Sequence, residues 1–138
     1  MIKPLAKGLA LTFKTLFRPR ITLQYPDEKK VMYERWRGRP YLLKGEDEQE
    51  LCGGCGICAR GCPAQAIKVT MGKREDNSRY PEVFELDLGR CIFCSFCVQS
   101  CPKGALKMSH DYELATADKK SLMLAKENLL LCPYKEKT

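Results

Sequence analysis

The first seventeen residues alternate apolar and polar positions with the spacing of a helix. Apolar side chains recur every three or four residues from Ile2 to Phe17, while the lysines fall largely elsewhere around the helix. The longest unbroken apolar run here, residues 9–11, is too short to cross a bilayer. The pattern therefore predicts a basic amphipathic helix over residues 2–17, and Pro19 ends it.

Short apolar stretches after residue 40 predict strands. They lie at residues 41–43, 66–70, 83–88 and 106–108, and a polar loop is predicted over residues 71–81. Before them, residues 21–44 show too little periodicity for an independent domain and predict an extended connector. Near the end of the chain, helical spacing from Ala117 to Leu131 predicts a helix with one apolar face. That face consists of Leu122, Met123, Ala125, Leu129 and Leu130.

Two cysteine runs lie between the predicted strands, and each reads C-x2-C-x2-C-x3-C-P. They occupy residues 52–63 and 91–102, and the same offset continues past the prolines, where Ala66 corresponds to Ala105. This is the spacing of bacterial two-cluster ferredoxins, in which the fourth cysteine of each run ligates the other cluster. The sequence therefore predicts two [4Fe–4S] clusters in a duplicated module.

The spacing has a physical basis. Three thiolates two residues apart lie on one tight loop, and glycines at 53, 54 and 56 allow its backbone to approach an inorganic core. The fourth cysteine follows a short helical turn, and the proline after it restricts its backbone and directs its sulfur away. The expected ligands are Cys52, Cys55, Cys58 and Cys101 for cluster 1, and Cys91, Cys94, Cys97 and Cys62 for cluster 2.

Other interpretations of the cysteines and of the single histidine fit less well. Zinc sites usually combine C-x2-4-C pairs, and disulfide frameworks belong to small secreted domains, whereas nothing here reads as a cleavable signal. Cys132, the ninth cysteine, has no ligand partners nearby in sequence and is predicted to be a free or partly buried thiol. His110 has no catalytic context and is predicted to be a surface residue.

The net charge of +7 belongs to the N-terminal part of the chain. Residues 1–44 contain eleven Lys and Arg against three acidic residues, a net of +8, while residues 45–138 sum to −1. Without a nucleic-acid-binding motif, this charge favours a membrane surface or an acidic partner. Packing of the helix on its own domain is the alternative. The predicted domains are an amphipathic helix with a docking arm (1–44), a two-cluster module (45–110) and a C-terminal extension with a helix (111–138).

The predicted fold class is α+β, a duplicated ferredoxin-like module flanked by these two helices. Large apolar side chains among the ligands are expected to exclude water from the clusters or simply to pack in the core. They are Ile57, Ile92, Phe93 and Phe96. Trp36, between two arginines, is predicted to be either an interface anchor or a residue folded onto the chain's own surface.

Several stretches together resemble one known family. They are residues 21–29, the turn at 37–39, residues 62–67 and residues 112–116, in addition to the cysteine motifs. They are similar to the two-[4Fe–4S] subunit of respiratory complex I and to its relatives in membrane-bound energy-converting hydrogenases and archaeal complex I-like enzymes. The resemblance covers roughly residues 10–131.

This resemblance implies a peripheral-arm subunit at the cytoplasmic face of the cell membrane. Such a subunit has no catalytic residues of its own, and the eight cysteines of the motifs are its matching ligands. It relays electrons towards a cluster in a neighbouring subunit, beside a membrane subunit and a site that reduces quinone, protons or a sulfur compound. The compact length suggests a prokaryotic complex, bacterial or archaeal, of the hydrogenase-like or simplified type.

Two other classes of function remain as alternatives. The first is a free, diffusible two-cluster ferredoxin, although such a shuttle needs neither the N-terminal arm nor the C-terminal helix. The second is a catalytic oxidoreductase, but the sequence contains no flavin or nicotinamide fingerprint. Clusters held by four cysteines also offer no open position for a substrate. Electron transfer within a larger complex is therefore the expected function.

Overall fold

The structure, a computed structural model, describes residues 2–45 and 50–130. The chain forms two compact units, Met1–Val31 and Met32–Thr138. None of the helices within the described ranges combines the length and apolar character needed to cross a membrane. Residues 46–49 of the acidic loop, Cys132 and the last residue of the predicted C-terminal helix lie outside the described residues.

The first unit contains one long helix. Helix α1 covers Ile2–Leu16 and has no buried residue. Its apolar side chains share one face, where the rings of Phe13 and Phe17 meet edge to face at 5.3 Å between centroids. Pro19 stops the helix from continuing, as expected from a residue without an N–H. Residues 17–31 contain no further helix or strand.

The second unit is built on antiparallel strands and two short helices that follow the cysteine loops. Strand β1 (Pro40–Leu42) pairs with β4 (Leu106–Met108), and β2 (Ile67–Lys73) pairs with β3 (Arg79–Asp87). Helices α2 (Ile57–Arg60) and α3 (Phe96–Gln99) each follow a cysteine loop. This is a small ferredoxin-like domain of the α+β class, as predicted.

The predicted polar loop over residues 71–81 is wrong, because most of it is a β-hairpin. Strand β2 continues to Lys73 and β3 begins at Arg79, with a register shift between Thr70 and Met71. Asp76 closes the turn, because its carboxylate accepts hydrogen bonds from both the backbone N–H and the hydroxyl of Ser78. The sequence pattern does not predict this hairpin. Most residues near its turn are exposed on both faces of the strands, so apolar and polar residues do not alternate there.

The predicted continuous helix from Ala117 to Leu131 is also wrong. A 3-10 helix (Lys119–Leu122) leads into strand β5 (Met123–Leu124), and helix α4 covers only Lys126–Leu130. The side chain of Asp118 accepts the N–H of Lys120 and so starts the 3-10 turn. Strand β5 then pairs with β3, and this sheet pairing interrupts the helix.

The core of the second unit lies where these elements meet. Its fully buried large side chains include Leu42, Phe84, Leu86 and Leu129. Helix α4 packs on β1, β3 and β5, which places Leu129 in this core. The buried cysteines, Cys58 and Cys97, belong to the same apolar cluster. The core therefore supports both cysteine loops from within.

Candidate functional site

The first cysteine loop depends on two glycines with left-handed backbones. Gly54 has φ +65°, and a Cβ there would lie 2.7 Å from the carbonyl oxygen of Tyr80. Gly56 has φ +70° and precedes α2. Only glycine accepts both the dihedral and the close approach at residue 54. The loop thus turns tightly against strand β3.

The second loop repeats the same conformation without glycine. Phe93 (φ 54°) and Ser95 (φ 66°) are left-handed and occupy the positions of the second run that correspond to Gly54 and Gly56. Gln65 (φ 49°) likewise corresponds to Gly104 (φ 59°) after the fourth cysteines. Non-glycine residues in this region cost free energy, so the surrounding structure must hold them there.

Each loop faces a cavity lined by four cysteines. The first cavity, of about 160 Å³, brings together Cys52, Cys55, Cys58 and Cys101. The second, of about 20 Å³, brings together Cys62, Cys91, Cys94 and Cys97. Ile92 and Phe93 line the second cavity, at positions that correspond to Gly53 and Gly54 of the first loop. In each cavity three cysteines come from one run and the fourth comes from the other.

Backbone amides point at the sulfurs. Gly54 N–H donates to Cys52 Sγ at 3.4 Å. After the fourth cysteines, Ala66 N–H donates to Cys62 Sγ at 3.4 Å and Ala105 N–H donates to Cys101 Sγ at 3.3 Å. Hydrogen bonds to a thiolate favour its charged form, which is the form that ligates metal.

Burial raises the pKa of the Cys58 thiol to about 12 and that of Cys97 to about 11. Burial is also the main cause of the raised pKa values of Cys52 and Cys91, which the N–H groups of Gly54 and Phe93 partly offset. Such thiols are protonated at neutral pH in the absence of metal, so binding of iron must displace their protons.

The influence of neighbouring cysteines on each pKa links the same thiols that line one cavity together. Cys101 adds to the raised pKa of Cys52, and Cys62 adds to that of Cys91. Cys97 also acts on Cys58, which means that the two sets are close neighbours.

These two sets fit iron–sulfur clusters by their chemistry. Each offers four sulfurs, N–H donors to sulfur and an otherwise largely apolar lining, to which Arg79 and Lys103 add positive charge at the first cavity. In the part of the chain that the structure describes, no group of three or more His, Cys, Asp or Glu is arranged to hold a single metal ion. Four cysteines around a cavity are the ligand set that holds a [4Fe–4S] cluster.

Of the apolar side chains near the ligands, and of the single histidine, only some line a cysteine cavity. Ile57 lines the first cavity, and Ile92 and Phe93 line the second, whereas Phe96 lines neither and is half exposed. His110 lies outside both cavities, with its Nε2 3.3 Å from the carbonyl oxygen of Glu34. Ile57 and Phe93 are therefore placed to exclude water from a cluster, whereas Ile92 lines its cavity with a side chain that is 62% exposed.

Two cations support the cysteine loops from positions for which the sequence predicts no such role. Arg37 Nη1 donates to the carbonyl oxygen of Cys94 at 3.0 Å. Lys126 Nζ lies 2.8 Å from Glu50 Oε1, beside the first loop. The turn at Arg37 is marked in the sequence only through the family resemblance, and no local pattern marks Lys126.

Comparisons with known proteins agree with this site. Residues 51–111 match the family described as 4Fe-4S dicluster domain. NADH-quinone oxidoreductase subunit I 2 of Geobacter metallireducens is 41% identical over 130 residues, which cover 94% of this chain and 98% of that protein. NADH-quinone oxidoreductase subunit I 2 of Rhizobium meliloti is 43% identical over 136 residues, covering 97% of this chain and 72% of the relative.

A solved structure is similar as well. A chain in the membrane-bound sulfane sulfur reductase, an archaeal respiratory membrane complex, matches with a TM-score of 0.57 at 34% identity. The match covers 80% of this chain and 55% of that chain, so the present chain spans just over half of its length.

The fold and the paired cysteine sets define a two-cluster iron–sulfur protein of the electron-transfer class. The chain belongs to the NADH-quinone oxidoreductase subunit I family. Its cofactors are two [4Fe–4S] clusters, and it is an electron-transfer subunit of a complex I-like enzyme. This confirms the family, the cofactors and the general function that the sequence predicted.

Proposed function

We propose that the chain passes electrons between two clusters with crossed ligand sets. Cluster 1 is held by Cys52, Cys55, Cys58 and Cys101, and cluster 2 by Cys91, Cys94, Cys97 and Cys62. The supporting observation is that each of two cavities gathers three cysteines of one run with the fourth of the other. The same grouping follows from the charges that act on Cys52 and Cys91.

The residues of the chain bind, orient and shield the clusters. Bound [4Fe–4S] clusters accept and donate single electrons. The N–H groups of Gly54, Ala66 and Ala105 donate to ligand sulfurs and stabilise negative charge there. Ile57 in the first cavity and Phe93 in the second restrict water. The proximity of Cys58 to Cys97 favours transfer between the two sites.

We further propose that the module is an internal duplication. Helices α2 and α3, the left-handed loop residues and the N–H to sulfur bonds after the fourth cysteines all recur at the offset that separates the two cysteine runs. The strand that leads into each loop pairs with the strand that leaves the other loop. The two repeats are thus joined by strand pairing, just as the fourth cysteine of each run is proposed to bind the cluster of the other run.

The proposed setting is the peripheral arm of a membrane-bound complex, at the cytoplasmic face. Its partners there are a neighbouring [4Fe–4S] subunit and a membrane subunit, and residues 1–20 contact the membrane surface. The terminal acceptor is a quinone, as the names of the NADH-quinone relatives suggest, or a proton or sulfur compound. The functional division into residues 1–44, 45–110 and 111–138 stays a prediction, and strand β1 of the first part pairs within the cluster module.

Iron counting in cysteine variants tests the crossed ligand sets. The unaltered chain should contain about eight iron and eight labile sulfide, because each cluster contributes four of each. Cys52→Ala with Cys101→Ala should lose little more iron than either change alone, since both remove ligands of one cluster. Cys52→Ala with Cys62→Ala should lose both clusters.

The variants should be prepared without oxygen within the assembled complex, so that a lost cluster does not unfold the chain. Cys132→Ala serves as the matched control and should retain all iron, because the proposal gives this cysteine no ligand role. If Cys52 and Cys62 behave as one unit instead, each run closes its own cluster and the crossed assignment is wrong.

A further inference from the structure

An ion pair beside the first cysteine loop joins three separate segments. Lys126 Nζ lies 2.8 Å from Glu50 Oε1 and donates to the carbonyl oxygen of Pro81 at 3.2 Å. The same ammonium group lies 5.7 Å from the centre of the Tyr80 ring. The side chains of Lys126 and Glu50 are only 19% and 16% exposed, so solvent and salt screen this pair much less than a surface pair.

All three segments support the first loop. Glu50 stands two residues before Cys52, and its backbone bridges to Lys44. The backbone of Tyr80 and Pro81 lies directly against Gly54. The approach is so close that a Cβ at Gly54 would lie 2.7 Å from Tyr80 O and 3.1 Å from Pro81 Cα. By binding Glu50 and Pro81 together, Lys126 holds the chain that leads into the loop and the strand on which the loop rests.

We propose that Lys126 is a positioning residue for cluster 1, which fixes the first cysteine loop and neutralises Glu50, and so raises the reduction potential of that cluster. The proposal rests on the ligand set proposed above. Reduction adds negative charge, so an uncompensated carboxylate near Cys52 opposes it and a cation favours it. Glu50 stands two residues before Cys52, and its carboxylate is largely shielded from solvent.

The effect should be confined to cluster 1. Gly89 stands at the position of the second repeat that corresponds to Glu50. The carboxylate beside the second loop belongs to Asp87, which lies 4.0 Å from Arg90 and so pairs with a different cation. The residues that line the second cavity carry no charged side chain apart from the cysteines. Altering the Lys126–Glu50 pair should therefore change the reduction potential of cluster 1 and leave that of cluster 2 unchanged.

Redox titration followed by electron paramagnetic resonance tests this proposal in the native complex, with iron counted in each sample. Lys126→Gln should lower the potential of cluster 1, by up to about tenfold in its reduction equilibrium, which is about 59 mV for one electron. Glu50→Gln should raise it. The double variant should return close to the unaltered value, because both charges are gone.

Lys120→Gln is the matched control, since it removes the same charge from an exposed site of the C-terminal segment and should leave both potentials unchanged. If Lys126→Gln loses cluster 1, Glu50→Gln still decides the question, because it leaves the Lys126 contact with Pro81 in place. Unchanged potentials, equal shifts of both clusters, or a double variant as low as Lys126→Gln would overturn the proposal. Failure of the ligand assignment would appear separately, in the iron counts of the cysteine variants.

Discussion

Gly54 and Gly56 lie in one loop with the same left-handed backbone, but their surroundings differ. A Cβ at Gly54 would collide with the backbone of Tyr80, whereas no protein atom of the described residues lies within 4 Å of a Cβ at Gly56. At the position of the second loop that corresponds to Gly56, Ser95 carries a side chain with the same left-handed backbone. Gly56→Ala should therefore cost only the conformational strain, about 1–2 kcal/mol, and keep both clusters. Gly54→Ala must also displace strand β3, and we expect it to lose cluster 1 and about half of the iron.

Iron and sulfide analysis of the two glycine variants, with spectra of the reduced protein, checks this prediction. Each variant serves as the control for the other, since both add one methyl group to the same loop. Equal retention of iron in both would mean that the close approach to Tyr80 does not matter for the cluster.

At the scale of single residues, the sequence predicts the type of cofactor better than it predicts the residues that support the cysteine loops. The cofactor type is confirmed, because iron–sulfur chemistry requires one residue type at one spacing. Arg37 contacts Cys94, which lies 57 positions away along the chain. Lys126 contacts Pro81, which lies 45 positions away. No local pattern contains such a separation, so only the folded chain reveals these supports.

Elements were predicted well where one face is buried. Strand β4 lies at residues 106–108 as predicted, and its Leu106 packs in the core. The C-terminal segment was misread because apolar residues at helical spacing also fit a short strand followed by a helical turn. Pairing of Leu124 with Leu86 decided between these structures, and this partner lies far away in sequence.

Helix α4 is short, so its stability depends on packing. Leu129 is fully buried in the core, whereas Met123 in the same segment is half exposed. Leu129→Ala should destabilise the domain by about 2–5 kcal/mol through the lost contacts and the cavity left behind. Met123→Ala should change little. The midpoint of cluster loss in a denaturant series without oxygen measures both, and equal midpoints would show that α4 does not support the core.

The whole molecule combines a buried cluster module with an N-terminal helix that buries nothing in its own unit. Every residue of α1 is exposed, including apolar Leu5, Leu9 and Phe13 on one face. The sequence predicts this amphipathic helix from spacing alone, but it does not identify what covers the apolar face. Lysines beside that face favour an anionic membrane surface as the partner.

Deleting residues 1–20 should leave both clusters intact, because no proposed ligand is lost, but should weaken attachment to membranes. Replacing Lys3, Lys7 and Lys14 together by Gln is the matched control, because it removes the three lysine charges of helix α1 and keeps its apolar face. This triple variant should lose the salt-dependent part of the attachment and retain the part that salt does not screen. Sedimentation with membranes at low and high salt, alongside iron analysis, measures both effects.

If the truncated chain stays fully attached and active in the membrane, the helix does not anchor the protein. If the truncated chain loses iron, residues 1–20 stabilise the cluster module instead.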